Sequence, residues 1–171
     1  DLEQGEVEHN RAGVKVDASL RSTNRRVYAI GDAAGGMQFT HVAGYHAGVL
    51  IRSMLFGLPA KATHHHIPRA TYTDPELAQI GLTEAEARAA HGEALTVSRA
   101  EVSGNDRAIA TGRALGGGFI KVMIGKNRPV GVTIVAADAG ELISFWALAF
   151  ANKLKMGQIA GMVAPYPTLM E

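Results

Sequence analysis

The fold is decided by the stretch from Arg26 to Leu55, which reads RVYAIGDAAGGMQFTHVAGYHAGVLIRSML. Val27–Ile30 is a run of apolar and β-forming residues closed by Gly31, and such a run predicts a buried strand covered on both faces. Asp32 then falls at the carboxyl end of that strand, which is where open α/β sheets bind their ligands. The stretch therefore predicts a strand, an acidic turn and a helix.

The second half of this stretch has the pattern of a helix. Thr40 is the predicted N-cap, and Gly57 and Pro59 are predicted to end the helix. The apolar residues at helical spacing are Val42, Ala43, Ala47, Leu50 and Met54, while Gly44 and Gly48 leave one face bare. The N–H groups at a helix start suit an anion or a polarised carbonyl. We expect Asp32 and this helix start to share a cleft for a polyol and an electron-poor ring or phosphate, or else to be plain α/β scaffolding.

The segments VYAIGDAAGG (27–36) and QFTHVA (38–43) resemble the second flavin-contacting segment of the pyridine nucleotide-disulfide oxidoreductases. That family includes lipoamide dehydrogenase, glutathione reductase and mercuric reductase. The resemblance implies that the Gly31-Asp32 pair binds FAD, with Asp32 on the ribityl chain. It also implies flavin-edge contacts from the start of the helix, at Gln38, Phe39, Thr40 and His41.

Composition excludes several classes of protein. The chain of 171 residues has a formal net charge of +1 and no basic cluster with interleaved aromatic residues, which argues against nucleic-acid binding. No apolar run approaches the roughly 20 residues that a membrane helix requires, and the polar start has no signal segment. We therefore expect a protein of the cytoplasm that binds neither nucleic acid nor membrane.

The chain has no cysteine, although the chemistry of the family depends on a redox-active cysteine pair. It also has no GxGxxG turn after a strand for a dinucleotide. We therefore expect a carboxy-terminal fragment that binds FAD weakly or not at all alone. In the intact enzyme the resemblance implies FAD, NAD(P)H and upstream cysteines acting on a disulfide, a metal ion or another acceptor. The alternatives are a non-enzymatic dimerisation module with a vestigial flavin segment, and an oxidase or peroxidase flavoprotein without redox cysteines.

The expected fold class is α+β with two parts. Residues 1–66 would be the incomplete end of an FAD-binding α/β domain, including a short strand near Gly13–Asp17, and residues 67–171 an interface domain with a mainly antiparallel sheet and flanking helices. The three histidines at 64–66 suggest a metal site, but adjacent residues of an extended segment point to opposite faces, so a linker is the favoured interpretation and no metal is expected. Pro68 marks the expected boundary.

The sequence of residues 67–171 predicts short strands and helices. The expected strands are 70–73, 77–82, 95–101, 119–124 and 130–135, the last two forming a hairpin. A capping box at Thr83–Glu86 would open a helix that ends near Gly92. The strings TYTDPELAQIGLTEAEA (71–87), GFIKVMI (118–124) and PVGVTIV (129–135) resemble the dimerisation domain of the same family, which implies a homodimer.

A long helix is expected from Asp138 to about Lys155, followed by a short one at 158–162. Its apolar stripe would serve the core or a subunit interface, and consists of Ile143, Trp146, Ala147, Phe150 and Leu154. Arg107 follows an aspartate in a predicted turn, which favours a local ion pair over contact with a ligand.

The chain closes with APYPTLME, residues 164–171. Lipoamide dehydrogenase and glutathione reductase have a histidine acid/base where this chain has Tyr166, and a glutamate where it has Glu171. A phenol with a reference pKa of about 10 exchanges protons less readily near neutrality than a histidine, but it can donate a hydrogen bond. The tyrosine resembles the mercuric-reductase-like branch, which implies that Tyr166 and Glu171 serve catalysis at the partner subunit's site. The alternative is that Tyr166 only packs at the interface and Pro167 only shapes a turn.

Overall fold

The first 64 residues form a unit with little regular sheet in the computed structural model, which describes residues 1–171. Strands β1 (His9–Asn10) and β2 (Gly13–Val14) make a two-residue antiparallel ladder. The main element is helix α1 (Thr40–Met54). The strand expected near Gly13–Asp17 is therefore present only in its first two residues.

The strand predicted at Val27–Ile30 is not formed. Tyr28 makes an isolated antiparallel bridge with Arg21, and Ile30 is 37% exposed rather than covered on both faces. Two backbone hydrogen bonds tie the segment to residues 20–22, from Ser22 N to Val27 O and from Ala29 N to Leu20 O. Since only this short stretch of the chain pairs with the segment, the ladder does not extend into a strand.

Helix α1 buries Val42, His46 and Val49 on one face. The predicted apolar face is thus partly wrong, because Met54 is 59% exposed and a histidine occupies the middle of the buried face. The predicted end of the helix before Gly57 is confirmed. The apolar cluster at the centre of this unit is small, and its buried members are Leu20, Val49 and Ala62.

Residues 65–171 form a second unit built on a five-stranded sheet. Its strands are β3 (Arg69–Thr71), β4 (Glu76–Gly81), β5 (Thr96–Glu101), β6 (Phe119–Gly125) and β7 (Arg128–Ala136). The spatial order is β3-β4-β7-β6-β5, and every neighbouring pair is antiparallel. The mainly antiparallel sheet that the sequence predicts is confirmed.

Four helices accompany the sheet: α2 (Glu84–His91), α3 (Asp106–Ala110), α4 (Ala139–Ala151) and α5 (Met156–Ala160). The combination of an antiparallel sheet with flanking helices is an α+β architecture. None of the chain's helices has the length and apolar character needed to cross a membrane.

The β6–β7 hairpin carries the centre of the sheet. Its turn residues Lys126 and Asn127 both have positive φ, at 51° and 61°, as a two-residue type I′ turn requires. Opposite residues such as Val122 and Val132 pair across it. The hairpin predicted from the two β-rich runs is confirmed.

The core of the second unit lies between the sheet and α4. Its buried members are Ala78, Ile80, Val122, Val132, Ile134, Ala136, Ala139, Leu142, Ile143 and Phe150. Ile143 and Phe150 of the predicted helix stripe are buried there, and Trp146 packs against the cluster while partly exposed. The core interpretation of the stripe therefore holds for its best-buried members.

The predicted start of α4 at Asp138 is confirmed, and its predicted end near Lys155 is wrong. Asp138 is the N-cap of α4 but makes no capping bond, because its carboxylate pairs with Arg113. The helix ends at Ala151 and not near Lys155, since Lys153 adopts φ 52° and the N–H of Leu154 returns to the carbonyl of Ala149. This pattern closes a helix in the Schellman manner.

The capping box of α2 is confirmed. The Thr83 hydroxyl accepts from the N–H of Glu86, and the Glu86 carboxylate accepts from the N–H of Thr83 at 2.8 Å. Glu84 forms ion pairs with Lys121 of β6 at 2.8 Å and with Arg88 at 2.7 Å. The helix is thereby fixed at its start and attached to the sheet.

Candidate functional site

The Gly31-Asp32 pair begins a short 3₁₀ helix, Gly31–Ala34, that lies against α1. Gly31 has φ 56° and is buried, and a Cβ at this position would come within 2.8 Å of the Cβ of Ala43. Only glycine combines this positive φ with so close an approach. The turn is therefore held against the first turn of α1 by a glycine that no other residue replaces without strain.

Asp32 lies within this 3₁₀ helix and not at the end of a strand, which corrects the expectation from the sequence. Its side chain is exposed and makes no hydrogen bond or ion pair, while its backbone carbonyl accepts from Gly35 at 3.0 Å. A carboxylate with no protein partner remains able to accept hydrogen bonds from a ligand.

The start of α1 is the second part of the candidate site. The N-cap is Phe39 and not Thr40, so the predicted capping residue is wrong by one position, and no side chain caps the helix. Gln38, Thr40 and His41 are exposed. The rings of Phe39 and His41 stack with centroids 5.4 Å apart, which gives the helix start a flat aromatic surface.

His46 connects the turn to the helix, and it is not among the residues predicted from the sequence. It is 2% exposed, and its Nδ1 accepts a hydrogen bond from the N–H of Gly31 at 3.1 Å. Its Nε2 lies 3.0 Å from the Nε2 of His64. Burial, and next the nearby charge of His64, lower the pKa of His46 below its usual value. The one available signal was position, because His46 falls on the same helical face as Val42 and Val49.

The three consecutive histidines make different contacts. His64 contacts His46, and His65 packs edge-on against His66 with ring centroids 5.2 Å apart. No group of three histidine, cysteine or acidic side chains in residues 1–171 is arranged to hold a metal ion.

Tyr166 and Glu171 belong to the second unit. Tyr166 is 69% exposed, and its hydroxyl donates to Asp106 at 2.9 Å. The same corner of α3 holds the terminal segment a second time, since Asn105 Nδ2 donates to the carbonyl of Thr168 at 3.0 Å. The hydrogen bond to Asp106, and then the charges of Asp106 and Glu171, raise the pKa of Tyr166.

Glu171 lines an open cavity of about 600 Å³ together with Glu101 and Asp106. Arg107, next to Asp106, forms no ion pair, so the predicted local pair is wrong. The segment is not a turn, because Asp106 and Arg107 open α3 and the Asp106 carboxylate is engaged by Tyr166.

The chain belongs to the pyridine nucleotide-disulphide oxidoreductases. The family model that matches is that of the dimerisation domain, over residues 67–171. The oxidoreductase family that the sequence resembles is therefore confirmed.

Several relatives resemble the chain over nearly its whole length. Dihydrolipoyl dehydrogenase of Bacillus subtilis is 33% identical over 99% of this chain and 37% of the relative. Mercuric reductase of Bacillus cereus is 34% identical over 95% of this chain and 26% of the relative. The chain thus spans between a quarter and two fifths of the length of these relatives.

Solved structures agree on the fold. LpdA from Mycobacterium tuberculosis superposes with a TM-score of 0.87 at 25% identity, covering 99% of this chain and 37% of that one. The HOCl-induced flavoprotein disulfide reductase RclA from Escherichia coli superposes with a TM-score of 0.85 at 24% identity, covering 99% and 39%.

Proposed function

We propose that this chain is the carboxy-terminal part of an FAD-dependent NAD(P)H:disulfide or metal-ion oxidoreductase. Residues 1–66 would end the FAD-binding domain, and residues 67–171 would form the interface of a homodimer. The observation that carries the proposal is the match of residues 67–171 to the family's dimerisation domain. The cytoplasmic location stays a prediction from the sequence.

The residues at the Gly31–Ala34 turn fit a flavin cofactor. The exposed Asp32 carboxylate has no partner within the chain and can accept hydrogen bonds from the hydroxyls of a ribityl chain. The uncapped start of α1 presents positive backbone dipoles, which favour the electron-rich edge of a ring. Gln38, Phe39, Thr40 and His41 would border that edge.

FAD, when bound, would supply the electron transfer between a nicotinamide cofactor and the acceptor. The role of the protein would be to hold and orient the FAD. Asp32 would fix the ribityl chain, and the glycine contact between Gly31 and Ala43 would keep the turn from moving relative to α1.

Tyr166 and Glu171 would act at the partner subunit's site. Because the phenol proton of Tyr166 is engaged by Asp106, its oxygen is left to accept a hydrogen bond from a group at that site. The raised pKa keeps the phenol protonated at neutral pH, so a role as proton acceptor is disfavoured. This arrangement supports a role for Tyr166 in orienting a ligand by accepting a hydrogen bond from it.

The homodimer is tested by the mass of the full-length protein in solution, measured by light scattering after size exclusion. We expect a dimer. A species that stays monomeric at all concentrations would contradict an interface role for residues 67–171.

The cofactor is tested by the visible absorbance of the purified full-length protein. We expect a flavin band that is released with denaturant and identified as FAD by chromatography. A colourless full-length protein that forms dimers and does not take up added FAD would instead support the non-enzymatic dimerisation module.

A further inference from the structure

His46 links three parts of the first unit through its two ring nitrogens. Nδ1 accepts from the buried N–H of Gly31, the residue directly before Asp32, at 3.1 Å. Nε2 faces the Nε2 of His64 at 3.0 Å, with the rings perpendicular at 86° and their centroids 5.3 Å apart. A single buried side chain thus connects the turn, helix α1 and the segment that follows the helix.

These contacts fix the protonation of both rings. A neutral imidazole has one donor and one acceptor nitrogen. Since Nδ1 of His46 accepts from Gly31, its proton must lie on Nε2, which then donates to His64. His64 must therefore be the tautomer with its proton on Nδ1. The chain of hydrogen bonds forms only when both histidines are neutral.

One added proton breaks this chain at either ring. A proton on Nδ1 of His46 would face the N–H of Gly31, and a proton on Nε2 of His64 would face the N–H of His46, so two donors would oppose each other. Burial already makes a charged His46 unfavourable.

No other charged group compensates. Asp17 lines the same cavity of about 510 Å³ as His46 and His64, but its carboxylate accepts from Ser19 Oγ at 2.6 Å and from the N–H of Arg21 at 3.1 Å. Tyr45, beside His46 on α1, uses its hydroxyl to accept from the N–H of Thr63. Asp32, next to Gly31, is exposed to solvent.

We propose that neutral His46 is a positioning residue that holds the Gly31–Ala34 turn against α1, and that protonation of the His46–His64 pair releases the turn. Release of the turn would weaken the binding of FAD, and this consequence rests on the proposed function. Because burial lowers the pKa of His46 in the folded chain, the contact is complete above the ordinary histidine pKa of about 6.5 and is weakened as the pH falls below it.

The first test is a ¹⁵N NMR titration of the histidine rings in the 171-residue chain, with no cofactor added. We expect the Nε2–H tautomer at His46 and the Nδ1–H tautomer at His64, and faster exchange of the Gly31 amide once the pair titrates, after correction for the intrinsic pH dependence. An Nδ1–H tautomer at His46 would overturn the proposal. A corrected exchange rate of the Gly31 amide that stays constant while the histidines titrate would overturn it as well.

Two variants distinguish the hydrogen-bond acceptor of His46 from the packing of its ring. His46→Asn keeps an acceptor near the Nδ1 position and does not titrate, whereas His46→Phe removes the acceptor. We expect Gly31 exchange to become roughly tenfold faster at neutral pH in His46→Phe, as for loss of one buried hydrogen bond, and to lose its acid dependence in His46→Asn. His65→Asn, at an exposed neighbouring histidine, is the matched control and should change neither.

The flavin consequence is tested in the full-length protein by FAD retained after gel filtration at pH values on both sides of the histidine range. We expect wild type to lose FAD on the acid side and His46→Phe to lose it at neutral pH as well. Equal retention by both proteins at every pH would overturn the flavin consequence. A full-length protein with no FAD at any pH would refute the proposed function, while the NMR result would still decide the role of His46.

Discussion

Each unit of this chain is stabilised by a different kind of contact. The second unit has a five-stranded sheet over a cluster of ten buried apolar residues, whereas the cluster of the first has three. The first unit depends instead on close glycine packing and on polar links such as Gly31 to His46. The difference indicates that apolar burial contributes more to the stability of the second unit than to that of the first.

The largest expected effect is in the sheet core. Ile134 is fully buried in β7, the central strand of the sheet, so Ile134→Ala should lower the free energy of unfolding by about 2–5 kcal/mol. Leu77 on the neighbouring β4 is 41% exposed, and Leu77→Ala should cost about 1 kcal/mol or less. Chemical denaturation of both variants measures the difference, and similar losses would contradict the account of the core.

The next effect is at the glycine contact of the first unit. Gly31→Ala should destabilise it by about 1–3 kcal/mol, because the added Cβ meets Ala43 and the residue keeps a positive φ. Gly44→Ala is the matched control on α1, where a Cβ meets nothing within 4 Å, and should stabilise by about 0.5–1 kcal/mol. Thermal unfolding followed by the NMR signals of residues 1–64 reports both. The same sign for the two variants would refute the close approach.

A smaller effect concerns the start of α2. Thr83→Ala should cost about 1 kcal/mol through loss of the N-cap, whereas Ser144→Ala on the exposed side of α4 should change little.

This cap should also depend on pH. Hydrogen bonds, first from the N–H of Thr83 and then from its hydroxyl, lower the pKa of Glu86, so the cap is complete above the ordinary carboxyl pKa of 4.5 and is lost as the pH falls below it. The stability difference between wild type and Thr83→Ala should therefore shrink in acid. A difference that stays constant down to about pH 3 would contradict the capping box.

The smallest effect is at the terminal segment. Asp106→Asn should bring the pKa of Tyr166 down toward its ordinary value of about 10, because the carboxylate that favours the protonated phenol is gone. Ultraviolet titration of the tyrosines, compared with wild type and Asp74→Asn, measures this change. An unchanged titration would mean that Tyr166 is not held by Asp106.

Local patterns predicted the second unit well. The β6–β7 hairpin and the Thr83 cap depend on residues close in sequence, so their spacing carried the necessary information. The predicted end of α4 was wrong because Lys153 adopts a left-handed conformation, which is usual for glycine and is not predicted for a lysine.

The first unit was predicted less well. The apolar run Val27–Ile30 looks like a strand, but a strand requires a long pairing partner, and here it meets only residues 20–22. His46 was missed because its role depends on Gly31 and His64, which lie 15 and 18 residues away. The flavin residues were proposed from resemblance. Among them, the strand-end position of Asp32 and the N-cap assignment of Thr40 are corrected.

The central claim is that the Gly31–Ala34 turn binds flavin. It is tested most directly by measuring the affinity of the full-length apoprotein for FAD in the variants Asp32→Asn and Asp74→Asn. If Asp32 holds the ribityl chain, Asp32→Asn should weaken binding roughly tenfold or more, as expected for loss of a charged hydrogen-bond acceptor. Asp74→Asn, in an exposed turn of the second unit, should bind as wild type does. Equal affinity for the two variants would contradict a flavin-binding role for the Gly31–Ala34 turn.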